Sequence, residues 1–360
     1  MVRTLDMNSA LPSLGVIGLG ALLLGCGTSQ SQPPTLLTGA KVPLAAASTT
    51  VALYAVVDLP RTNLTHGLSA TAFDPATRTL YALQDHAQNI VPLLASSDYR
   101  AFTIGAPIPL TGRPDFEWDG EGLIRLRDGF IAVTDETTAR VERFDTAGKF
   151  LTNVVISSRF SEQAIANLGL ESLTISPSGR FLFTANEAAL KTDGLLATKS
   201  KGTTVRIHQR ELATGADRQA AYRTEPLGAG LLIGLTGVSE LAAISDRELL
   251  VLERGYQPLY GNTVRIFRVD LATGIRVEAM DSLTPETPVL TKQLVVDLAT
   301  LPSAGITHPG YQPNPILDNY EALAIGPAIP DGRRLLFVTS DDNSSSSQVA
   351  RVLVLAVPGL

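Results

Sequence analysis

The sequence has little of the chemistry that many enzymes rely on. Of its 360 residues one is cysteine, one is tryptophan, four are histidine, and aromatic residues make up only 6 %. A lone cysteine, Cys26, cannot form a disulfide within the chain, so an oxidising compartment is permitted but not required. The histidines are scattered and none belongs to an H-E-x-x-H pattern, so a soft-metal centre is not expected.

Basic residues are also few, since 29 Lys and Arg stand against 35 Asp and Glu and leave a formal net charge of −6. Nucleic-acid binding requires clustered Lys and Arg that neutralise phosphates, and the sequence has no such stripe. P-loops and G-x-G-x-x-G turns after a strand are absent. Ser69 in HGLSA and Ser239 in GVSEL lack the second glycine of a G-x-S-x-G nucleophile elbow, which leaves a metal-free carboxylesterase without a recognisable nucleophile.

Long apolar runs are absent except near the start, where LPSLGVIGLGALLLGCG occupies 11–27. Its length suits a signal peptide and is short for a transmembrane helix. Cys26 ends the run in LLGC, which resembles a bacterial lipobox, although a buried free thiol is the alternative. We therefore expect a lipoprotein signal peptide at 1–25, lipidation at Cys26 and a flexible tether at 26–50. The expected location is the cell envelope outside the cytoplasm, or the medium if the lipobox is not used.

Beyond the tether the sequence shows almost no helical periodicity. Short alternating or apolar runs are separated by Gly, Pro, Asp and Asn, which is typical of an all-β domain. One hairpin pattern recurs, with turn residues in its middle and acids at its open ends, although the copy at 66–86 lacks the opening acid. Its copies are HGLSATAFDPATRTLYALQDH (66–86), GEGLIRLRDGFIAVTDE (120–136), NLGLESLTISPSGRFLFTANE (167–187), VSELAAISDRELLVLER (238–254) and YEALAIGPAIPDGRRLLFVTSDDN (320–343).

A second element follows several hairpins, as in the near duplicates TTVRIHQRELATG (203–215) and NTVRIFRVDLATG (262–274). Units of four antiparallel strands, repeated at intervals of roughly 50–80 residues, predict a β-propeller whose blades pack on their neighbours. We count five blades, and VALYAVVDL (51–59) is expected to supply the strand that the last blade lacks. The alternative is an irregular sixth blade within 276–318. Loop excursions are predicted at 188–202 and 255–261.

Propeller geometry predicts where the acids of the hairpins lie. The first strand of each blade lines the central channel and the second returns beside it, so the start of the first and the end of the second share one face. Glu121, Glu171, Glu240 and Glu321 should therefore form a ring at one mouth of the channel. The other titratable residues expected at this face are Asp85, Asp135, Glu136, Glu187, Glu253, Asp341, Asp342, His66, His86 and Arg254.

Crowded carboxylates cannot all stay ionised at low cost, so some are protonated or a cation lies between them. Calcium takes roughly 6–8 oxygen ligands in irregular geometry, which suits carboxylates from several blades. DFEWDGEG (115–122) echoes half of a calcium loop, although Leu126 replaces the closing Glu of an EF-hand. The predicted calcium ligands are Asp119, Glu121, Asp135, Glu240 and Asp341. The architectural alternative is that each acid binds backbone N–H groups of the next blade.

The five hairpins together resemble the phytase-like domain, known as "esterase-like activity of phytase". The resemblance covers about 60–357, in the order of the family's motifs. It implies a secreted or surface-attached bacterial propeller with phosphoester or ester hydrolase activity. ESL, ELA and EAL stand where the motif often has EGL. The residues carried over as motif positions, without chemical roles, are Glu121, Glu171, Glu240, Glu253, Arg254, Glu321, Asp341 and Asn343.

Two functions are expected for the phytase-like β-propeller domain at 51–360. The first is a calcium-dependent hydrolase of a small phosphoester or ester, in which Glu171 or Glu321 takes a proton from water. Substrate binding is then assigned to His66, Arg254 and Asn343. The alternative is a non-catalytic surface propeller that binds a ligand or partner, with calcium as a structural element. We expect a monomer that touches the membrane only through its lipid anchor and binds no nucleic acid.

Overall fold

The structure, a computed structural model, describes residues 36–38, 40–41, 49–113, 118–228 and 234–360. The predicted signal peptide, Cys26 and most of the tether lie outside these residues, as do Asp115 and Glu117 of the calcium-loop echo. The helices in the described part are one α-helix, α1 (Arg159–Glu162), and two 3-10 turns at Leu271–Thr273 and Leu298–Thr300. None of these helices has the length and apolar character needed to cross a bilayer.

Strands make up most of the described chain. Three precede the first hairpin: β1 (Leu36–Thr38), β2 (Ala40–Lys41) and β3 (Ala52–Asp58). The first blade contains β4 (Leu68–Asp74), β5 (Thr79–Gln84), β6 (Asn89–Ala95) and β7 (Ala101–Ile104), with β8 (Ile108–Pro109) paired to β6. The second contains β9 (Gly122–Leu126), β10 (Gly129–Asp135), β11 (Arg140–Asp145) and β12 (Phe150–Val154).

The last three blades follow the same order. The third contains β13 (Leu170–Ile175), β14 (Phe181–Asn186), β15 (Thr204–Glu211) and β16 (Asp217–Arg223). The fourth contains β17 (Leu235–Ala243), β18 (Glu248–Gln257), β19 (Gly261–Asp270) and β20 (Lys292–Asp297). The fifth contains β21 (Tyr320–Ala328), β22 (Arg334–Ser340) and β23 (Arg351–Val357), completed by β3.

The five antiparallel sheets form a closed ring. The first strands of the blades, β4, β9, β13, β17 and β21, contact one another in this order, and β21 returns to contact β4. The predicted all-β, five-bladed propeller is confirmed. Closure also follows the prediction for 51–59, because β3 pairs with β23, with Val57 opposite Val352 and Ala55 opposite Val354.

Two details of the predicted organisation are wrong. Segment 276–318 does not form a sixth blade, since its strand, β20, pairs with β19 as the outer strand of the fourth blade. Segment 255–261 is not a loop excursion, because β18 continues to Gln257 and β19 begins at Gly261. The tight turn between them places Gly261 at φ +78, a region that glycine adopts without strain. Segment 188–202 forms no strand, as predicted.

The core lies between the blades. Each blade is covered on both faces by its neighbours, so its strands are apolar on both faces, and all seven residues of β23 are buried. Between the fourth and fifth blades, Leu250 and Ile266 pack in one cluster with Leu336 and Leu353. Burying such a side chain stabilises the fold by about 1.5–3 kcal/mol.

The two ends of the channel differ chemically. The ends of the innermost strands on one face line a cavity of about 330 Å³ with apolar side chains such as Leu123, Leu173, Leu241 and Leu323. The beginnings of the same strands meet at the other face, where the acids of the hairpins lie. The fold therefore gathers the acids of the hairpins at one mouth of the channel.

Candidate active site

The polar mouth of the channel is a cavity of about 710 Å³, which we call the acidic cavity. Four blades supply its carboxylates and the fourth blade supplies Arg254. The acids that line it are Asp85, Asp119, Glu121, Asp135, Glu136, Glu171, Glu187, Glu321 and Asp341. Asn343 lines it as well. The structure thus brings together most of the residues that the sequence predicts at this mouth.

β-Bulges aim two of the glutamates into the acidic cavity. The pairing register of β13 skips Glu171, and that of β21 skips Glu321. A skipped residue has no partner in the ladder, so its side chain need not follow the regular alternation between the two faces of the sheet. Ser69 and Ser239 are the skipped residues of the first and fourth blades. Both hydroxyls donate to carbonyls of the adjacent blade, so neither is free as a nucleophile.

The prediction that Glu240 belongs to the ring of glutamates at this mouth is wrong, since Glu240 does not line the acidic cavity. It follows the bulge residue Ser239, and a shift of one residue in a strand turns the side chain to the other face. Its Oε1 accepts hydrogen bonds from the N–H groups of Leu241 at 2.9 Å and Leu173 in the third blade at 3.0 Å. Burial raises the pKa of Glu240 well above its usual range. Glu240 therefore fits the architectural alternative, in which an acid binds a backbone N–H group of a neighbouring blade.

Glu253 and His66 also do not line the acidic cavity. Glu253 accepts hydrogen bonds from Lys292 Nζ at 2.7 Å and from the Tyr222 hydroxyl. His66 Nδ1 lies 2.7 Å from Oδ2 of the buried Asp342, and its ring is not part of the cavity lining. The predicted substrate residue His66 is therefore held against a neighbouring acid.

Arg254 is the centre of the carboxylate cluster. Its Nη2 lies 2.9 Å from Glu187 Oε1, 3.5 Å from Glu321 Oε1 and 3.9 Å from Glu171 Oε1. Its Nη1 donates to Asn319 Oδ1, and Asn319 Nδ2 donates to Glu321 Oε1 at 2.8 Å. Burial acts to lower the pKa of Arg254, but the surrounding carboxylates outweigh it, so the guanidinium is a permanent positive charge.

The acids around Arg254 bind protons unusually tightly. Burial, followed by the charges of Glu171 and Glu321, raises the pKa of Glu121 well above its usual range. Burial and the charge of Asp119 raise the pKa of Glu136 to about 7. Burial and the charge of Asp85 raise the pKa of Asp341 to about 6. Part of the cluster is therefore protonated near neutral pH unless a cation neutralises it.

Comparison with known proteins assigns the family. The family model described as "Phytase-like: Esterase-like activity of phytase" matches residues 63–344. The chain belongs to the phytase-like family. No curated protein matches the chain.

Solved structures similar to this phytase-like chain include a protein from Lactobacillus plantarum, at 18 % identity over 85 % of this chain and 75 % of that chain, with a TM-score of 0.35. An endo-arabinase from Bacteroides thetaiotaomicron is 12 % identical over 80 % of this chain and 92 % of its own, with a TM-score of 0.43. A luciferin-regenerating enzyme is 13 % identical over 91 % of this chain and 96 % of its own, with a TM-score of 0.38.

The candidate metal ligands of the phytase-like cavity are all carboxylates, and carboxylate oxygens are the ligands that a hard cation such as calcium prefers. Burial and the charges of Glu171, Glu321 and Asp119 act on the Glu121 carboxylate, whose own charge acts on the Arg254 guanidinium. Within the described ranges, no three His, Cys, Asp or Glu side chains already stand in a metal-holding arrangement. A cation would therefore have to draw the carboxylates together.

Several residues of the site, Asp85 among them, are not among the predicted substrate-binding, metal-binding and catalytic residues. Glu187 and Asn319 contact Arg254 directly, and Glu136 lies in the same cavity. Glu136 and Glu187 stand at the ends of hairpins, and because those ends converge on one face, the sequence predicts that both glutamates lie at this mouth. Asn319 carries no such signal, because its role depends on the side chain of Arg254 reaching across from another blade.

Proposed function

We propose that this phytase-like propeller hydrolyses phosphoesters or esters in the acidic cavity, outside the cytoplasm, with calcium bound by the cavity's carboxylates. The observation that carries the proposal is the contrast between two kinds of buried acid. Glu240 and Glu253 have hydrogen-bond donors that explain them as architecture. Glu121 and Glu171 instead line an open cavity, where burial, followed by the charges of neighbouring acids, raises the pKa of each. Acids with strongly perturbed pKa values in a cleft are typical of active sites.

The roles follow from position. Asp119, Glu121, Asp135 and Asp341 would hold calcium, which would offset the negative charge that repels a phosphate and make a bound water more acidic. Glu171 and Glu321 flank Arg254 and are placed to exchange a proton with water. Arg254 and Asn343, which line the same cavity, would bind the phosphoryl or carbonyl oxygens.

The second candidate is a non-catalytic propeller that binds a ligand or partner. It is favoured by the bond from the Gly169 N–H to Glu136 Oε2, 3.0 Å long, which ties the second blade to the third. In that case the acids and calcium would only hold blades together.

The decisive experiment uses protein beginning at residue 27 and measures phosphate release from phytate and simple phosphoesters, with calcium and with excess chelator. Hydrolysis that requires calcium and is lost in Glu171→Gln supports the proposal. Glu240→Gln is the matched control, since the same change is made in the next blade but outside the cavity. The absence of release from any ester would leave the non-catalytic function. Membrane fractionation of Cys26→Ser protein tests the proposed lipid anchor.

A further inference from the structure

A second cavity, of about 580 Å³, adjoins the acidic cavity. The two share the lining residues Leu235, Arg254, Asn319 and Asn343. A ligand whose charged group lies beside Arg254 can therefore extend from one cavity into the other. We call this second cavity the tyrosine groove, and its own lining includes Tyr256, Leu259, Asn262, Tyr311, Gln312 and Gln348.

The tyrosine groove has a different chemistry from the acidic cavity. Arg254 is the single charged residue in its described lining. Tyr256, Leu259 and Tyr311 are 48 %, 82 % and 70 % exposed, which is unusual for large apolar side chains that stand side by side. The neighbouring amide side chains supply neutral donors and acceptors. Such a lining suits an uncharged aromatic or apolar group.

The walls of the tyrosine groove are held together before any ligand binds. One wall is the turn between β18 and β19, and the other is the segment 308–313. Gln312 Oε1 accepts a hydrogen bond from the Asn262 N–H at 2.8 Å, which joins the two walls. His308 Nε2 lies 2.8 Å from Asp318 Oδ2, which ties down the start of the second wall. A groove built in this way loses little conformational entropy on binding.

We propose that the tyrosine groove binds the aromatic or apolar alcohol portion of the substrate while the esterified group lies beside Arg254; this inference rests on the proposed hydrolase function. The substrate class is then a phosphoester or ester with one charged group, and not a polyphosphate such as phytate. Hydrolysis adds water across the ester bond. The water oxygen bonds to the phosphoryl or acyl centre, the bond to the alcohol oxygen breaks, and the alcohol leaves with a proton.

The scarcity of positive charge in the two cavities favours this substrate class. A polyphosphate requires several cationic partners, one for each group that it buries. In the described lining of both cavities Arg254 is the one Lys or Arg, and its guanidinium already contacts Glu187. Calcium at the carboxylates would screen only the phosphates that reach the acidic cavity. Apart from Arg254, the described lining of the groove itself offers further phosphates no cationic partner.

The test compares benzyl phosphate with methyl phosphate, because their alcohols are similarly acidic and differ mainly in the ring. We expect kcat/KM to favour the benzyl ester by about tenfold, from burial and stacking of the ring. Tyr311→Ala should remove most of this preference. Tyr260→Ala is the control, since Tyr260 is 49 % exposed on the same turn but does not line the groove. Equal rates for the two esters, faster hydrolysis of phytate, or an equal effect of Tyr260→Ala would overturn the inference.

A binding measurement separates this inference from the hydrolase proposal. Benzylphosphonate has no ester bond to hydrolyse, and its binding can be followed by the fluorescence of Trp118, the sole tryptophan, which lines the acidic cavity. Binding that is weakened in Tyr311→Ala but not in Tyr260→Ala supports the groove even if no ester is hydrolysed. If esters are hydrolysed but benzylphosphonate binds no better than methylphosphonate, the groove inference fails and the hydrolase proposal stands.

Discussion

The Glu136 carboxylate of the second blade accepts a hydrogen bond from the Gly169 N–H of the third blade at 3.0 Å. This donor favours the ionised carboxylate, yet burial and the charge of Asp119 prevail and raise the pKa of Glu136 to about 7. The same group therefore links two blades and titrates near neutrality. Its position couples the stability of the ring to pH.

The first prediction concerns pH. The folded protein binds the Glu136 proton more tightly than the unfolded chain, so the stabilisation is complete below the unfolded pKa and is lost as pH rises through about 7. Asp341, with a pKa of about 6, acts in the same direction. In chelator, the free energy of unfolding should fall between about pH 5 and pH 8, with Glu136 contributing on the order of 3 kcal/mol. Denaturant titrations across this range measure it.

The control for this prediction is Glu136→Gln, which keeps an acceptor for the Gly169 N–H but cannot titrate. Its unfolding free energy should depend less steeply on pH than that of the unmodified protein. Calcium should raise the melting temperature at about pH 8 and do so less at about pH 5, where protons compete for the carboxylates. Parallel pH profiles for the two proteins would contradict the role given to Glu136.

The second prediction compares Glu171 with Glu240. Glu240→Ala leaves the N–H groups of Leu173 and Leu241 without an acceptor and should destabilise the protein by about 1–3 kcal/mol for each group. Glu171→Gln removes a repelled carboxylate and should leave stability in chelator unchanged or raised. Thermal unfolding with both variants checks this. A loss of stability in Glu171→Gln equal to that in Glu240→Ala would mean that both acids are architectural.

The third prediction concerns Arg254. Arg254→Met leaves Glu187, Glu321 and Glu171 without their cation, so at about pH 8 it should cost about 3–5 kcal/mol. At about pH 5 the cost should be smaller, because the same acids are protonated. Arg247→Met provides a matched surface control in the same hairpin, since Arg247 is 65 % exposed beside Asp270 and should contribute less than about 1 kcal/mol. Similar, pH-independent losses in the two variants would refute the central role of Arg254.

The fourth prediction concerns ring closure. A chain that begins at residue 60 lacks β3 and leaves one edge of β23 unpaired. An open, apolar edge favours aggregation, so this protein should be insoluble or unfold without cooperativity. A chain that begins at residue 49 retains β3 and should unfold in one transition, as judged by circular dichroism. A cooperative, unshifted transition in the shorter chain would contradict the closure.

Much of the fold is predictable from the sequence because its signals are local and repeated. Alternating residues around the turns SPSG and PDG indicate hairpins, and their recurrence indicates blades. The incomplete last blade and the spare strand at 51–59 predict the closure that β3 makes. The convergence of hairpin ends follows from propeller geometry, which places Glu171 and Glu321 at one mouth.

The tertiary structure alone decides which acids face the cavity and what surrounds them. Serine precedes glutamate in VSEL and follows it in LESL, and the bulge at Ser239 turns Glu240 into the wall while Glu171 lines the cavity. The tyrosine groove joins Tyr256 to Tyr311, residues from separate segments that only the folded ring brings together. Repeats in a sequence therefore determine the blades and their order. The direction of a side chain at a bulge, and the contacts between distant loops, depend on packing that no local pattern records.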